Sequence, residues 1–185
     1  MIFETISISL ILGKIRGGKI GNLEKLKINK WYIFAISFFL EIISLLLITK
    51  FNGSLSSFLE DNFSYIHILT YVLLILGLIL NSDKKGIRIV LAGTILNFIP
   101  IILNKGRMPV SIKALEFSNL YTELTLLEEG RVLTHVLADN TTKLGILSDI
   151  IPIPKPYPFP KIISFGDILI AIGLFALIQR YMKDE

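Results

Sequence analysis

Seven polar side chains carry the chemistry open to this sequence: Asn104, Arg107, His135, Asp149 and Asp167, and, within strongly apolar stretches, Glu41 and Asn97. Two carboxyl groups beside a histidine can run general acid–base chemistry or coordinate a metal. Carboxyls held about 5–9 Å apart around a water are the arrangement of two-carboxylate hydrolases. A guanidinium grips phosphate or carboxylate through two parallel hydrogen bonds, so Arg107 reads as an anion contact. It reads equally as the partner of Asp149 or Asp167 in a structural lock. His135 and Asp139 stand four residues apart, sharing a face if that stretch is helical, although one such pair is common.

The elements that must position these groups are apolar. Long stretches run over Trp31–Ile48, Ile66–Leu80, Ile87–Leu103 and Ile162–Tyr181, and a shorter one, Ile2–Ile15, precedes them. A helix needs about 17–25 mostly apolar residues to cross a bilayer. The expected fold is an all-α membrane protein, a five-span helical bundle whose first span is short and carries Glu4, Thr5, Ser7 and Ser9. That first stretch could also lie in the interface. Glu4 precedes the apolar run and no small-residue cleavage site follows, so Ile2–Ile15 is expected to stay in the mature chain. Residues 1–185 are read as one integral membrane domain.

Glu41 falls about ten residues into its stretch, roughly 15 Å deep at 1.5 Å per residue, which is mid-bilayer. Asn97 lies at similar depth, with Pro100 after it. An ionisable group at that depth needs a reason: Glu41 is a neutral hydrogen-bonded helix joint or part of a proton or ion path. Asn97 joins it as relay or as helix-packing residue. A second layer is expected at the outer boundary, with Glu4, His67, Asp167, Asn104, Arg107 and Asp149, to which the loop adds His135 and Asp139.

The chain has no cysteine, which removes thiol catalysis, cysteine-bound metals and disulfides. Its 52% hydrophobic content and mean hydropathy of +0.67 leave no room for a separate soluble domain. The pI near 9.2 comes from bases clustered at helix ends, so nucleic acid is not an expected partner. Lys14, Arg16, Lys19, Lys25, Lys27 and Lys30 follow the first stretch. Lys84, Lys85 and Arg88 sit in a later turn, and Arg180 and Lys183 in the tail, where Asp184 and Glu185 balance them. By the positive-inside rule these ends face the cytoplasm. That gives a multi-pass protein of the bacterial cytoplasmic membrane, N-terminus outside and C-terminus inside. The basic linker 14–30 reads as a short helix on anionic headgroups, or as a docking site for a cytoplasmic partner.

Residues 104–161 are too long for a connector and form an expected extracytoplasmic cap. Leu115, Leu120, Leu124 and Leu127 have helical spacing ahead of Gly130, a helix stop. Further helical patches are expected over Val132–Ala138 and around Leu144–Ile151. Pro152, Pro154, Pro156, Pro158 and Pro160 alternate, and proline restricts both itself and the residue before it. The segment is expected to be an extended proline-rich strap of roughly 28 Å at about 3.1 Å per residue, pinning the cap over the spans.

At these positions the chain resembles a family of small bacterial membrane proteins of unknown function. The likeness covers nearly the whole chain. It rests on Arg16-Gly17-Gly18 with Leu23, Leu26 and Trp31, then Asn104-Lys105-Gly106-Arg107-Met108-Pro109-Val110-Ser111. It continues through His135, Ser148-Asp149-Ile150-Ile151-Pro152-Ile153-Pro154 and Ser164-Phe165-Gly166-Asp167. That family's arginine loop has glycine where this chain has Lys105. The resemblance implies that Asn104, Arg107, His135, Asp149 and Asp167 act as one unit, and it implies no activity. A fainter likeness, through Ser164-Phe165-Gly166-Asp167-Ile168, is to lipoprotein signal peptidases. Their first aspartate lies in an N-x-x-D-R context absent here, since Ile150 and Ile151 follow Asp149.

These readings converge on an outward-facing polar pocket lined by Asn104, Arg107, His135, Asp149 and Asp167. It is expected to bind a small anionic or amphiphilic ligand or lipid, in a carrier, sensor or accessory subunit. One alternative is a membrane-embedded hydrolase or transferase using Asp149, Asp167 and His135. The other is a structural or assembly subunit without ligand, partnered by another membrane protein. No cofactor and no metal are expected.

Overall fold

The structure is a computed structural model that describes residues 1–51 and 53–183; Asp184 and Glu185 of the charge-balanced tail lie outside the described residues. Its long helices are α1 (Ile2–Ile15), α2 (Tyr32–Lys50), α4 (Phe63–Ile79), α5 (Lys85–Leu103) and α8 (Phe165–Lys183), with a short α3 (Ser54–Asp61) before α4. They pack as neighbours in the order α1, α8, α5, α4, α2. Apolar side chains such as Phe3, Ile11, Phe38, Phe39 and Ile43 remain exposed along them. In water such a surface would drive association, whereas a bilayer solvates it.

By length and composition α2, α5 and α8 can each cross a membrane, and α3 with α4, bent by 63°, adds a fourth if the pair counts as one. The expected fifth span is not among them. Ile2–Ile15 has 14 residues, about 21 Å at 1.5 Å per residue against a hydrocarbon core of about 30 Å.

Glycine sets the tightest contact. Gly86 and Gly93 on α5 face Gly173 and Gly166 on antiparallel α8, each pair seven residues apart along its helix. A Cβ on Gly93 would lie 2.5 Å from the Gly166 carbonyl oxygen, and one on Gly173 would lie 2.6 Å from the Val90 nitrogen. Small residues let membrane helices approach this closely where lipid supplies no hydrophobic drive.

The two ends of the helix row differ. At one end the linker is tied down: the Lys19 N–H donates to the Met182 carbonyl (2.8 Å), and Asn81 clamps Asn29 through bonds of 2.7 and 2.9 Å. The linker's lysines, Lys84, Arg88 and Arg180 therefore gather there. Residues 104–164 cover the other end.

The cap is less helical than its sequence implies. The leucine-spaced segment forms α6 (Ile112–Phe117) and α7 (Tyr121–Glu128), broken at Asn119 (φ +55) and stopped at Gly130 (φ +68). Val132–Ala138 is not helical. It contains β2 (His135–Leu137), which pairs in parallel with β1 (Met108–Val110), so His135 and Asp139 share no helix face. Asp139 instead holds a turn, accepting from the Thr141 N–H and hydroxyl (2.8 and 2.7 Å). The expected helical patch around Leu144–Ile151 is a 3-10 turn at Gly145–Leu147, a bridge from Asp149 to Val110 and, at Ile151, the start of a strand.

The proline strap is also corrected. Ile151–Ile153 (β3) and Lys161–Ile163 (β4) form an antiparallel hairpin, Ile151 opposite Ile163. Extension survives in β3, where Pro152 on a two-stranded edge needs no ladder N–H. The chain turns after Pro154, whose carbonyl accepts from the Tyr157 N–H (3.2 Å), so alternation did not enforce one straight strap. The hairpin meets the start of α1, where Lys161 pairs with Glu4, which also meets the chain's amino terminus.

Candidate functional site

The geometry of the site starts with the turn that leaves α5. Lys105 and Gly106 both adopt left-handed backbone (φ +58 and +78), and the chain reverses into β1. There is no space for a side chain at Gly106, where a Cβ would lie 2.7 Å from the Ser64 carbonyl oxygen. β1 is then gripped on both sides. The Met108 N–H donates to the Thr134 carbonyl (2.9 Å), while the Asp149 N–H donates to the Pro109 carbonyl (3.0 Å) and the Ser111 N–H to the Asp149 carbonyl (2.9 Å). One three-residue strand thus fixes His135 and Asp149, which lie fourteen residues apart in sequence. Their side chains approach, His135 Nε2 to Asp149 Oδ2 at 3.5 Å, longer than a well-formed hydrogen bond. The His135 Nδ1 lies 2.8 Å from the Thr134 hydroxyl.

Beneath them, Ser164 caps α8 in a reciprocal arrangement. The Asp167 N–H donates to the Ser164 hydroxyl oxygen and the Ser164 N–H to Asp167 Oδ2, each at 3.0 Å, a capping box with aspartate in the acidic position. The Ser164 hydroxyl donates to Asn97 Oδ1 (2.7 Å), and Asn97 Nδ2 donates to Asp167 Oδ1 (3.0 Å). A side chain at Gly166 would collide with that Asn97 oxygen. Asn97 therefore ties α5 to the start of α8.

Across the helices, His67 of α4 faces Glu41 of α2, Nδ1 to Oε1 at 3.2 Å. The nitrogen makes no well-directed hydrogen bond there, so the pair is a close approach rather than a fixed joint. Tyr71, one turn beyond His67, sits edge-on to it at 5.2 Å and stacks on Phe98 at 6.0 Å.

All these groups line one cavity of about 260 Å³: Glu41, His67, Tyr71, Asn97, Thr134, His135, Asp149 and Asp167, with Leu74 and Met108 as its apolar wall. It brings together His135, Asp149 and Asp167 from the expected pocket with Glu41 and Asn97. Asn104 and Arg107 are outside its lining. Asn104 is occupied in holding the cap, donating to the Pro100 and Lys143 carbonyls (2.7 and 3.0 Å) and accepting from the Lys143 N–H (2.9 Å). The Arg107 guanidinium has no ion pair and no hydrogen bond among the described residues.

Asp149 is the exceptional member. It is 7% exposed, and its Oδ1 is buried with no donor. Burial pushes its carboxyl above the usual range, Asp167 adds to that, and the approach of His135 pulls the other way. Among the described residues no group of three or more His, Asp or Glu is placed to hold a metal.

Residues 25–179 match the model of a family described as a family of unknown function, DUF5317. The chain belongs to that family. Every residue lining the cavity falls within the matched DUF5317 segment, whereas α1 precedes it. The chain is 28% identical over 175 residues, 95% of this chain and 88% of the relative, to a Thermotoga maritima protein described only as uncharacterized. No solved structure matches it.

Two polar members of the cavity, Tyr71 and Thr134, escaped the sequence. Tyr71 follows His67 by one helical turn, a spacing that puts both on one face and could have been noticed. Thr134 carries no such signal, since only the pairing of β1 with β2 aims it.

Proposed function

We propose that this DUF5317 protein lies in the bacterial cytoplasmic membrane with its basic end in the cytoplasm and its cap and N-terminus outside. In this reading the cavity under the cap binds a small ligand, and the protein acts as carrier, sensor or accessory subunit. The observation that carries it is Asp149. A buried carboxyl with an unpartnered oxygen is expensive to a fold that gains nothing from it, and this one opens on a cavity formed by four helices and the cap. Convergent polar groups in an otherwise apolar protein mark ligand sites.

The lining favours a different class of ligand from the expected anion. It holds three carboxyl groups and no lysine or arginine, so the anion expected at Arg107 is not what this cavity is charged to receive. A neutral or cationic donor of hydrogen bonds fits it.

Native mass spectrometry of the protein drawn from its own membranes in mild detergent tests the reading, wild type beside Asp149→Asn. A discrete added mass on the wild type that the variant lacks supports a ligand. Bare protein in both cases overturns it.

An enzyme is the second reading, favoured by the contrast between the two aspartates. Asp149 is a buried carboxyl that burial drives toward its protonated form, whereas both oxygens of Asp167 accept hydrogen bonds. One carboxyl with an oxygen lacking a donor and one with both oxygens supplied is the kind of contrast in environment by which carboxyl pairs divide acid–base work. Turnover of a bound lipid or peptide that both Asp149→Asn and Asp167→Asn abolish would move the assignment there.

A further inference from the structure

A second cavity adjoins the polar one. It measures about 310 Å³ and lies against α6 and α7, walled by Val110, Leu115, Leu120, Leu127, Val132 and Ile162 among others. The two cavities share two lining residues, His135 and Asp149. The carboxyl that lacks a donor therefore stands at the border between an apolar space and an acidic one. Of the charged side chains on the apolar cavity, Lys161 is committed to Glu4 and Glu123 adds a further negative charge. Taken together, the two volumes fall within the roughly 300–1,000 Å³ of small-molecule sites.

We infer that the ligand of this site is a single-chain amphiphile with a protonated amine head, the head at Asp149 facing the acidic cavity and the alkyl chain in the apolar cavity beneath α6 and α7. The inference rests on the ligand-site reading above and adds the class of molecule. Three observations favour this occupant. The acidic cavity has carboxyl groups on α2, on α8 and in the cap with no basic side chain among them except the histidines, so charge complementarity calls for a cation. Oδ1 of Asp149 needs an N–H or O–H donor, which an ammonium or substituted ammonium with a free N–H supplies and a quaternary head does not. The apolar cavity begins at the same residue, so head and chain are accommodated without either crossing the other's environment.

The test uses the purified full chain in nanodiscs of zwitterionic lipid, with n-decylammonium, decanoate and decanol as probes of equal chain length. Stoichiometric binding is read by native mass spectrometry together with the shift in thermal unfolding. Decylammonium is expected to bind one per chain. Asp149→Asn is expected to weaken it about tenfold or more, the loss of one charge-assisted hydrogen bond. Leu127→Gln, which leaves the acidic cavity intact, should weaken it as well, and Arg107→Ala should not. Decanoate binding as tightly as decylammonium overturns the cationic head while a ligand site under the cap stands. Decylammonium bound equally well by wild type, Asp149→Asn and Leu127→Gln overturns the placement across the two cavities. Failure of all three probes, together with bare protein from native membranes, overturns this inference and the ligand-site reading alike.

Discussion

Replacing Asp149 by asparagine should stabilise the protein above neutral pH and leave it unchanged in acid. The carboxyl is nearly fully buried, Oδ1 has no donor, and Oδ2 meets His135 only at 3.5 Å. Burial raises its folded-state pKa above that of the unfolded chain, so the native state holds more protons between the two values. Stability from this group is therefore greatest below the unfolded pKa near 3.9 and is lost as pH rises through the folded value. Asparagine keeps the size and removes the charge. The cost relieved is that of the buried negative charge, about 1.4 kcal/mol for each pH unit by which burial raises the carboxyl, while the amide remains a buried polar group. At about 2–4 °C per kcal/mol for a chain of this length, the variant should unfold at least about 2 °C higher than wild type in alkaline buffer. Thermal unfolding in detergent, followed by near-UV circular dichroism across a pH series, reads the two curves. They should converge in acid. Loss of about 3–5 kcal/mol by the variant at every pH would refute the reasoning. That size of loss belongs to a broken buried ion pair, and His135–Asp149 would then be a lock.

Gly93→Ala and Gly166→Ala should each destabilise by about 1–3 kcal/mol through overpacking, seen as earlier thermal unfolding. Gly21→Ala, with nothing within 4 Å of the added carbon, should stay within about 0.5 kcal/mol of wild type. Lys105→Gly should stabilise by about 0.5–1 kcal/mol, because left-handed backbone costs a side-chain-bearing residue about 1–2 kcal/mol and glycine returns part of that as lost chain entropy; chemical unfolding measures it. Asn81→Ala should strand the backbone of Asn29 at a cost of about 1–3 kcal/mol and expose the 14–30 linker to limited proteolysis.

The Asn104–Arg107 segment was legible as a loop, although a lysine at 105 does not announce the left-handed backbone found there. The helical stop at Gly130 was legible too, since a glycine at φ +68 ends α7. The cavity was legible only in pieces. Asp149, Asp167 and His135 were marked by residue type, and Glu41 and Asn97 by the cost of polar groups among apolar ones. Their meeting was not marked, because it depends on α5 and α8 touching at four glycines and on β1 holding two distant loops. The i,i+7 glycines stand in or beside both stretches, but a glycine reads the same whether it faces lipid or a neighbouring backbone.

The sequence by itself determined the long apolar helices, the basic end opposite the cap and the chemical types available to a site, because hydropathy, charge and turn preference act residue by residue. Only the tertiary structure decided that Val132–Ala138 carries a strand, that the alternating prolines fold into a hairpin, and that Arg107 stands outside the cavity while Glu41 lines it. Three-residue strands have too little intrinsic preference to declare themselves, so the backbone they pair with chooses for them. A side chain's access to a cavity depends on where its helix is placed, which is settled by contacts far away in the chain.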